Sequence, residues 1–375
     1  MIKLFSRKSL NQTKNKQRGF SLLEMMVSIA IFLIVTGAVY GLLQIGRIDR
    51  NRSSQRSDML KNARMAVHLI GRDALNAGLG YHRRGAVIPD NFLTTRLGVP
   101  SDPDTNRDML TSVIVGNNLF TNGLNQDTTV RTDIISFAYR EMTFNGGNTI
   151  TIPSVAAPGG APQTARLTTN PTQAAASQIY DLYLIESDSS QIAVMATNIP
   201  DPDSIPANNF QIDVTSGDPL GLNQDYNGTG VNGSLLKVCT ILITTDCMTY
   251  PASAKKFNWV AYKVKADGTL VRMVFGNNTT RPSDEQIQEQ PLAYGVQNLQ
   301  FRYILEDGTT VDNPTLGTDN APGTSDDEPL DTNLIRQIVI TLEVQSSEID
   351  EQTRKPSVIT LNATFAVRNL EYDAG

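Results

Sequence analysis

Cysteine and histidine are scarce in this chain, whose 375 residues include two of each. A disulfide-rich scaffold and a zinc site built from the usual Cys and His ligands are therefore excluded. The patterns Gly-x-x-x-x-Gly-Lys, His-Glu-x-x-His and Gly-x-Ser-x-Gly, which mark nucleotide-binding, zinc-protease and serine-hydrolase sites, are also absent. We therefore expect no catalytic residues and predict that the chain is not an enzyme.

Acidic residues are missing from positions 1–19, which hold six bases. The rest of the chain has 26 Lys and Arg against 38 Asp and Glu, so its balance is strongly acidic. Such a body repels the phosphate backbone of DNA and RNA. We predict that nucleic acid is not a partner.

Proline is absent before Pro89, and charge is absent from Met25 to Gly46. As a helix these residues would span about 33 Å, enough to cross the core of a bilayer. The basic leader favours a cytoplasmic N-terminus, so we predict a transmembrane helix over 20–46. A secretory signal peptide is the alternative, although its apolar stretch is usually only about 7–15 residues long.

One carboxylate, Glu24, lies at the start of the apolar run. Placed deep in a membrane it would cost roughly 2.5–3.5 kcal/mol, and it needs a positive partner that the run itself does not offer. Cleavage after Gly19 would create such a partner, the new α-amine of Phe20, which could face Glu24 of a neighbouring subunit. In the alternative interpretation, Glu24 sits at the membrane surface as a helix-N-terminal acid.

The basic leader, the sequence Gly19-Phe20-Ser21-Leu22-Leu23-Glu24 and the uncharged run together resemble the class III signal of type IV prepilins. The resemblance implies that a prepilin peptidase cuts after Gly19 and methylates Phe20. It also implies that Glu24 docks against the N-terminus of the adjacent subunit. Major pilins often carry a proline halfway along this helix; Gly41 stands here, which weighs against a major subunit.

Apolar residues recur at spacings of three and four beyond the membrane segment, which predicts one continuous helix to about Ala77. Gly78 and Gly80 are suited to cap its C-terminus. Charged residues, including Asp73, fall largely outside the apolar stripe. The stripe consists of Met59, Ala63, Ala66, Val67, Ile70, Ala74 and Leu75. A helix this long needs a sheet to cover that stripe.

From about Ser112 onward, apolar residues recur at every second position, as in β-strands. The clearest hairpin joins two strands through Ala266-Asp267-Gly268. Predicted strands are 133–139, 178–185, 259–265, 269–275, 335–344 and 358–367, and predicted loops are 84–110, 145–177, 200–233 and 306–333. The fold class is therefore α+β: a long N-terminal helix, transmembrane in its first half, packed on an antiparallel β-sheet body.

Four later segments resemble PilW-type minor pilins of type IV pili: 71–78, 268–272, 292–303 and 364–370. The combined resemblance implies a pilin-like organisation with four parts. These are a prepilin leader at 1–19, a transmembrane helix half at 20–46, an amphipathic helix half at 47–80 and a β-rich extracytoplasmic body at 81–375.

The function that the resemblance implies is that of a minor pilin, a structural subunit at or near the filament tip. It would start as a single-pass protein of the bacterial inner membrane with a periplasmic body and end on the cell surface. Implied partners are prepilin peptidase, other minor and major pilins, the inner-membrane assembly platform and membrane lipid. The alternatives are a J-type pseudopilin of type II secretion and, from another class, a membrane-anchored periplasmic hydrolase or binding domain.

Two further features are candidates for covalent and metal chemistry. Cys239 and Cys247 could form a disulfide in an oxidising compartment, or could remain free thiols. Asp319, Asp326, Asp327 and Glu328 belong to an acidic, turn-rich stretch that could hold calcium, or could be a solvated loop. We expect no other cofactor.

Overall fold

The computed structural model divides the chain into two compact units, Met1–Gln55 and Arg56–Gly375. Within them it describes residues 19–101, 107–125, 129–153, 155–156, 164–169, 177–188, 190–199, 210–215, 217–223, 250–277, 286–350 and 353–370.

Two α-helices and seventeen strands are found in these described residues. The helices are α1 Leu22–Asn76 and α2 Phe92–Leu97. The strands are β1 Ala86–Pro89, β2 Arg107–Leu110, β3 Val113–Thr121, β4 Arg131–Arg140, β5 Ile150–Ile152, β6 Val155–Ala156, β7 Thr164–Thr169, β8 Leu182–Glu186, β9 Gln191–Met195, β10 Phe210–Thr215, β11 Ala252–Val264, β12 Leu270–Phe275, β13 Ile287–Ala293, β14 Val296–Leu305, β15 Thr310–Val311, β16 Ile335–Ile349 and β17 Pro356–Ala366.

Helix α1 confirms the predicted long helix, with both ends within two residues of the expected positions. It is long and apolar enough to cross a membrane. The chain leaves the helix through Gly78, whose φ of 79° lies in the left-handed region that glycine adopts without strain. Its amide donates a hydrogen bond of 3.1 Å to the carbonyl of Ala138, which ties the helix end to β4.

In the second unit, α1 buries one stripe, as predicted from the spacing. Its buried residues are Met59, Ala63, Ala66, Val67, Ile70, Gly71, Asp73 and Ala74. Two predictions were wrong here. Leu75 points outward with 39% of its surface exposed, and Asp73, expected outside the stripe, is fully buried.

Within the described residues the strands form three sheets. The largest has ten strands, with the order β13-β12-β11-β8-β9-β1-β2, while β4 and β5 also pair with β11, and β3 pairs with β4. The second has the order β10-β7-β6 and the third β15-β14-β16-β17. All pairings are antiparallel except that of β1 with β9. The predicted α+β, pilin-like fold is thus confirmed.

The long strand β11 shows why the body has a core on each side of the large sheet. Val260 and Tyr262 pack into the core that also holds the buried stripe of α1. Trp259 and Ala261, which alternate with them along the strand, enter the opposite core, where Trp259 stacks on Phe275 with ring centroids 3.9 Å apart. Alternation between two apolar surroundings buries both faces of this strand.

Several predicted boundaries need correction. The ranges 84–110, 145–177 and 200–233 were expected to be loops, but they contain β1, α2, β2, β5, β6, β7 and β10. These elements are only two to six residues long, too short for a clear period. The strand expected over 178–185 begins at Leu182, because Tyr180 has a φ of 70° and the preceding residues form a turn. The hairpin at Asp267-Gly268 and the two late strands are confirmed.

Strand β17, at the edge of the four-stranded sheet β15-β14-β16-β17, is long and uncharged. It pairs with β16 from Val358 to Ala366 without a register shift. In the part of the chain that the structure describes, its other edge has no neighbouring strand.

Candidate processing and docking segment

The first unit presents the predicted cleavage position just outside a helix. Gly19 and Phe20 precede α1, and Phe20 has 83% of its surface exposed. The amide of Met25 donates to the carbonyl of Ser21 at 3.1 Å, which closes the first turn. The Gly19–Phe20 peptide bond therefore lies outside the helix between two exposed residues, as a peptidase substrate requires.

Glu24 lies in the first turn of α1. Its backbone carbonyl accepts a hydrogen bond of 2.7 Å from the hydroxyl of Ser28, one turn later. Its carboxylate is exposed and forms no ion pair with any described residue. Among the described residues, the favourable charge near this carboxylate is the partial positive charge of the helix N-terminus, and the exposed carboxylate is accessible to a cation from another molecule.

Large apolar side chains surround the helix in this unit on every side. Phe20, Leu22, Phe32, Ile34 and Leu42 each have more than 65% of their surface exposed. A helix that is apolar all round is stable only in lipid or among other helices. Gly37 and Gly41 leave open space within 4 Å of where a side chain would begin, so another helix could approach closely there.

Residues 14–40 match the family model of the prokaryotic N-terminal methylation motif. The chain therefore has the N-terminal segment of a type IV pilin-like or pseudopilin precursor. Such a segment implies processing by prepilin peptidase, assembly with pilins and membrane anchoring. No curated protein and no solved structure matches the chain.

The other predicted sites have different outcomes. Cys239 and Cys247 lie outside the described residues, so their disulfide stays a prediction. Among the residues that the structure describes, no group of three or more His, Cys, Asp or Glu is arranged to hold a metal ion. The calcium site at 319–328 also stays a prediction.

The carboxylates of that acidic loop hold the loop's own backbone. Asp326 accepts from the amide and hydroxyl of Thr318 at 2.6 and 2.8 Å. Hydrogen bonds from the hydroxyls of Thr318 and Thr324 lower the pKa of Asp326 to about 2. Asp327 accepts from the amide of Gly323 at 2.6 Å. The loop is therefore ordered by these contacts, as in Asx turns.

Asp73 is a site residue that the sequence interpretation missed. Its carboxylate is completely buried and lies 2.9 Å from the guanidinium of Arg272. It accepts hydrogen bonds from the hydroxyls of Tyr262 at 2.6 Å and Tyr139 at 3.3 Å. Burial, together with the charge of Asp73, raises the pKa of Tyr139 to about 12. The cluster fixes the second half of α1 to β4, β11 and β12.

The sequence contained a signal for Asp73. It follows Ile70 by three residues, which is a spacing that keeps two side chains on one face of a helix. A charge on a buried face requires a buried partner. That partner, Arg272, is 199 residues away in the chain, so the pair could not be identified before the strands were placed.

Proposed function

We propose that the chain is a PilW-type minor pilin, a structural subunit of a type IV pilus. Prepilin peptidase would cut after Gly19 and methylate Phe20, and the mature subunit would join the filament at or near its tip. The single observation that carries the proposal is the carboxylate of Glu24 in the first turn of α1, directly before the uncharged residues Met25 to Gly46 and inside a matched methylation motif.

The exposed apolar helix supports an assembly role. Before assembly, residues 20–46 would lie in the inner membrane, with the N-terminus cytoplasmic and the body periplasmic. During assembly, contacts with other pilin helices would replace contacts with lipid. Since both surroundings are apolar, burial alone discriminates poorly between axial positions of the helices.

The charge pair would supply that discrimination. The new α-amine of Phe20 in one subunit would meet Glu24 of its neighbour at one axial offset only. At any other offset both charges would remain unpaired in an apolar medium, which is costly. The pair therefore sets the register of the subunits more than their affinity.

Two features support a minor rather than a major subunit. Gly41 stands where major pilins often have a helix-bending proline. The body is also large, with a ten-stranded sheet and two smaller ones among its described residues. A subunit of this size is better accommodated at a filament end, where it has neighbours on one side only.

The deciding experiment is the mass of the N-terminal peptide of protein extracted from membranes and, separately, from sheared filaments. We expect both to begin at methylated Phe20, with the filament pool enriched at tips in immunogold images. A Gly19→Val variant, with a branched side chain at the cleavage position, should retain Met1 and stay in the membrane. Wild-type protein that retains Met1 in cells would contradict the proposal.

A second measurement, the phenotype of a deletion strain, separates the two assembly alternatives. A J-type pseudopilin would have the same processed N-terminus, but its deletion would block protein secretion and leave pili intact. For a minor pilin, deletion should reduce the number of surface pili and leave type II secretion unchanged.

A further inference from the structure

Three charged side chains converge inside the body where β11 passes between two neighbouring strands. Lys256 is in β11, which pairs with β8 up to this residue and with β4 from Phe257 onward. Asp181 immediately precedes β8, and Glu141 immediately follows β4. The amide of Glu141 donates to the carbonyl of Lys256 at 2.9 Å, which fixes the two chains side by side.

The ammonium of Lys256 lies between the two carboxylates. Its Nζ is 2.9 Å from Oδ1 of Asp181 and 3.5 Å from Oε2 of Glu141. The side chain of Asp181 has no exposed surface, and that of Lys256 has 12%. Among the described residues, Lys256 is the sole polar group that contacts Oδ1 of Asp181.

Aromatic rings form the wall of this site. The centroid of the Phe144 ring is 5.6 Å from Nζ of Lys256. Tyr183 packs edge-on against Phe144, with centroids 6.0 Å apart. Burial raises the pKa of Asp181. In such surroundings the transfer of one proton from the ammonium to the carboxylate, which leaves a neutral amine and a neutral acid, removes two buried charges.

The other oxygen of Asp181 has two hydrogen-bond donors in place. Oδ2 accepts from the amide of Gln178 at 2.8 Å and from the hydroxyl of Tyr183 at 3.3 Å. Donors directed at a carboxyl oxygen stabilise the negative charge that develops on it when a nucleophile attacks the carbon. The site therefore combines a nucleophile, an acid, a proton carrier and an oxyanion-binding pair.

We propose that Lys256 and Asp181 form an intramolecular isopeptide bond, with Glu141 carrying the proton. The lone pair of Nζ attacks Cγ of the protonated Asp181, and the negative charge moves to Oδ2. Glu141 takes a proton from Nζ and passes it to Oδ1. The Cγ–Oδ1 bond then breaks, water leaves, and an amide joins Cγ to Nζ. One amine and one carboxylic acid give one amide and one water, with no oxidant or other reactant.

The proposed function does not require this bond, and the bond does not require the proposed function. The bond would tie β8 to β11 and close the chain from residue 181 to residue 256. Cross-links of this kind restrict the unfolded chain and so favour the folded one. They also resist extension of the strands that they join.

The same strand offers a matched control. Lys255, the preceding residue, contacts the carboxylate of Glu186, and both side chains are nearly buried. Among the described ion pairs, Lys255 has no second carboxylate beside it, and Glu141 is paired with Lys256 alone. Since the proton carrier is missing there, we expect Lys255 to remain a free amine.

The test is the intact mass of the full chain, purified in detergent and measured under reducing, denaturing conditions. We expect wild-type protein to be lighter than its sequence by the mass of one water molecule. Tandem mass spectrometry of a protease digest should then find a branched peptide that joins residues 181 and 256. Glu141→Gln and Lys256→Arg should have the full mass of their sequences and a thermal midpoint several degrees lower, whereas Lys255→Arg should still lack one water.

Two results would overturn the proposal. One is wild-type protein with the full mass of its sequence, which decides the matter even if the variants fail to fold. The other is a missing water that maps to a single linear peptide, such as a cyclised Asp267-Gly268, and not to a branched one. Neither result would affect the N-terminal processing on which the proposed function depends.

Discussion

In the proposed function Glu24 is the residue on which assembly depends, because it is the one charge inside the apolar part of α1. Its effect does not arise from contacts within its own chain, where the side chain is exposed and forms no ion pair among the described residues. The residue should therefore have no influence on folding, membrane insertion or cleavage, and a large one on joining a neighbour.

We predict that Glu24→Ala is cleaved and methylated normally but is lost from filaments. The unmatched amine of the neighbour would cost at least about 1.4 kcal/mol, a factor of about ten in incorporation. The measurement is the ratio of sheared-filament to membrane protein by quantitative immunoblot. Ser28→Ala, one turn later, is the control and should incorporate normally. Normal incorporation of Glu24→Ala would disprove the docking role.

Asp73 has the opposite character, since it acts entirely within its own chain. Its fully buried carboxylate compensates the charge of Arg272, whose side chain is 13% exposed. Removal of one member of such a pair leaves the other buried and uncompensated.

We predict that Asp73→Ala lowers the free energy of unfolding of the body by about 3–5 kcal/mol. Asp58→Ala is the control on the same helix. Asp58 pairs with Lys61 at 3.7 Å, and both side chains are at least 70% exposed. Its loss should change stability by less than about 1 kcal/mol. Urea unfolding of the full chain in detergent, followed by the fluorescence of Trp259, would separate the two outcomes.

At the scale of elements, the approach of α1 to β17 depends on one glycine. A Cβ added to Gly71 would lie 2.2 Å from the ring of Phe365, far closer than any real contact. The helix and the strand can pack at this distance only because residue 71 has no side chain.

We predict that Gly71→Ala lowers the free energy of unfolding by about 1–3 kcal/mol, the usual range for overpacking. The double variant Gly71→Ala/Phe365→Leu should recover part of this loss, because a smaller side chain makes room for the methyl group. Gly41→Ala is the control, since no atom lies within 4 Å of its added methyl group. Equal stability of Gly71→Ala and wild type would show that the helix and strand lie farther apart.

Long elements with a regular period could be predicted from the sequence, and short ones could not. The spacing of Ala63, Ala66 and Ile70 was sufficient to predict the helix, and Asp267-Gly268 was sufficient to predict the β11–β12 hairpin. The short elements β1, α2 and β2 were not predicted, because their burial comes from strands far away in the chain. The methylation motif that contains the candidate cleavage and docking residues was recognisable because it is local in sequence, whereas Asp73 and its partners required the fold.

At the scale of the whole molecule, two buried carboxylates couple stability to pH. Asp133 accepts from the amides of Asn118 and Phe301, both at 2.7 Å. Burial raises the pKa of Asp133 to about 7. Burial also raises the pKa of Asp218, to about 6. Both pKa values exceed that of an aspartate in an unfolded chain, about 3.9. At pH values between the unfolded and the folded pKa, the folded chain therefore binds more protons than the unfolded chain.

We predict that the free energy of unfolding decreases as the pH rises from 5 to 7. Each proton contributes up to about 1.4 kcal/mol per pH unit. Asp326 does not oppose this trend, since its pKa of about 2 keeps it ionised throughout. Asp133→Asn should reduce the slope, and the exposed Asp307→Asn should not. Urea titrations at several pH values would measure the slope of the free energy of unfolding against pH. If Asp133→Asn left this slope unchanged, Asp133 would not be one of the groups that cause it.

The uncharged edge strand β17 of the four-stranded sheet has a consequence for a subunit that has not yet been assembled. Backbone amides and carbonyls along one side of β17 point outward, and no lysine, proline or bulge between Val358 and Ala366 discourages another strand from pairing there. In an unassembled subunit, any flexible, uncharged segment of polypeptide can therefore pair with β17 and extend the sheet. A high concentration of unassembled subunits therefore favours aggregation, and rapid incorporation into an ordered assembly prevents it.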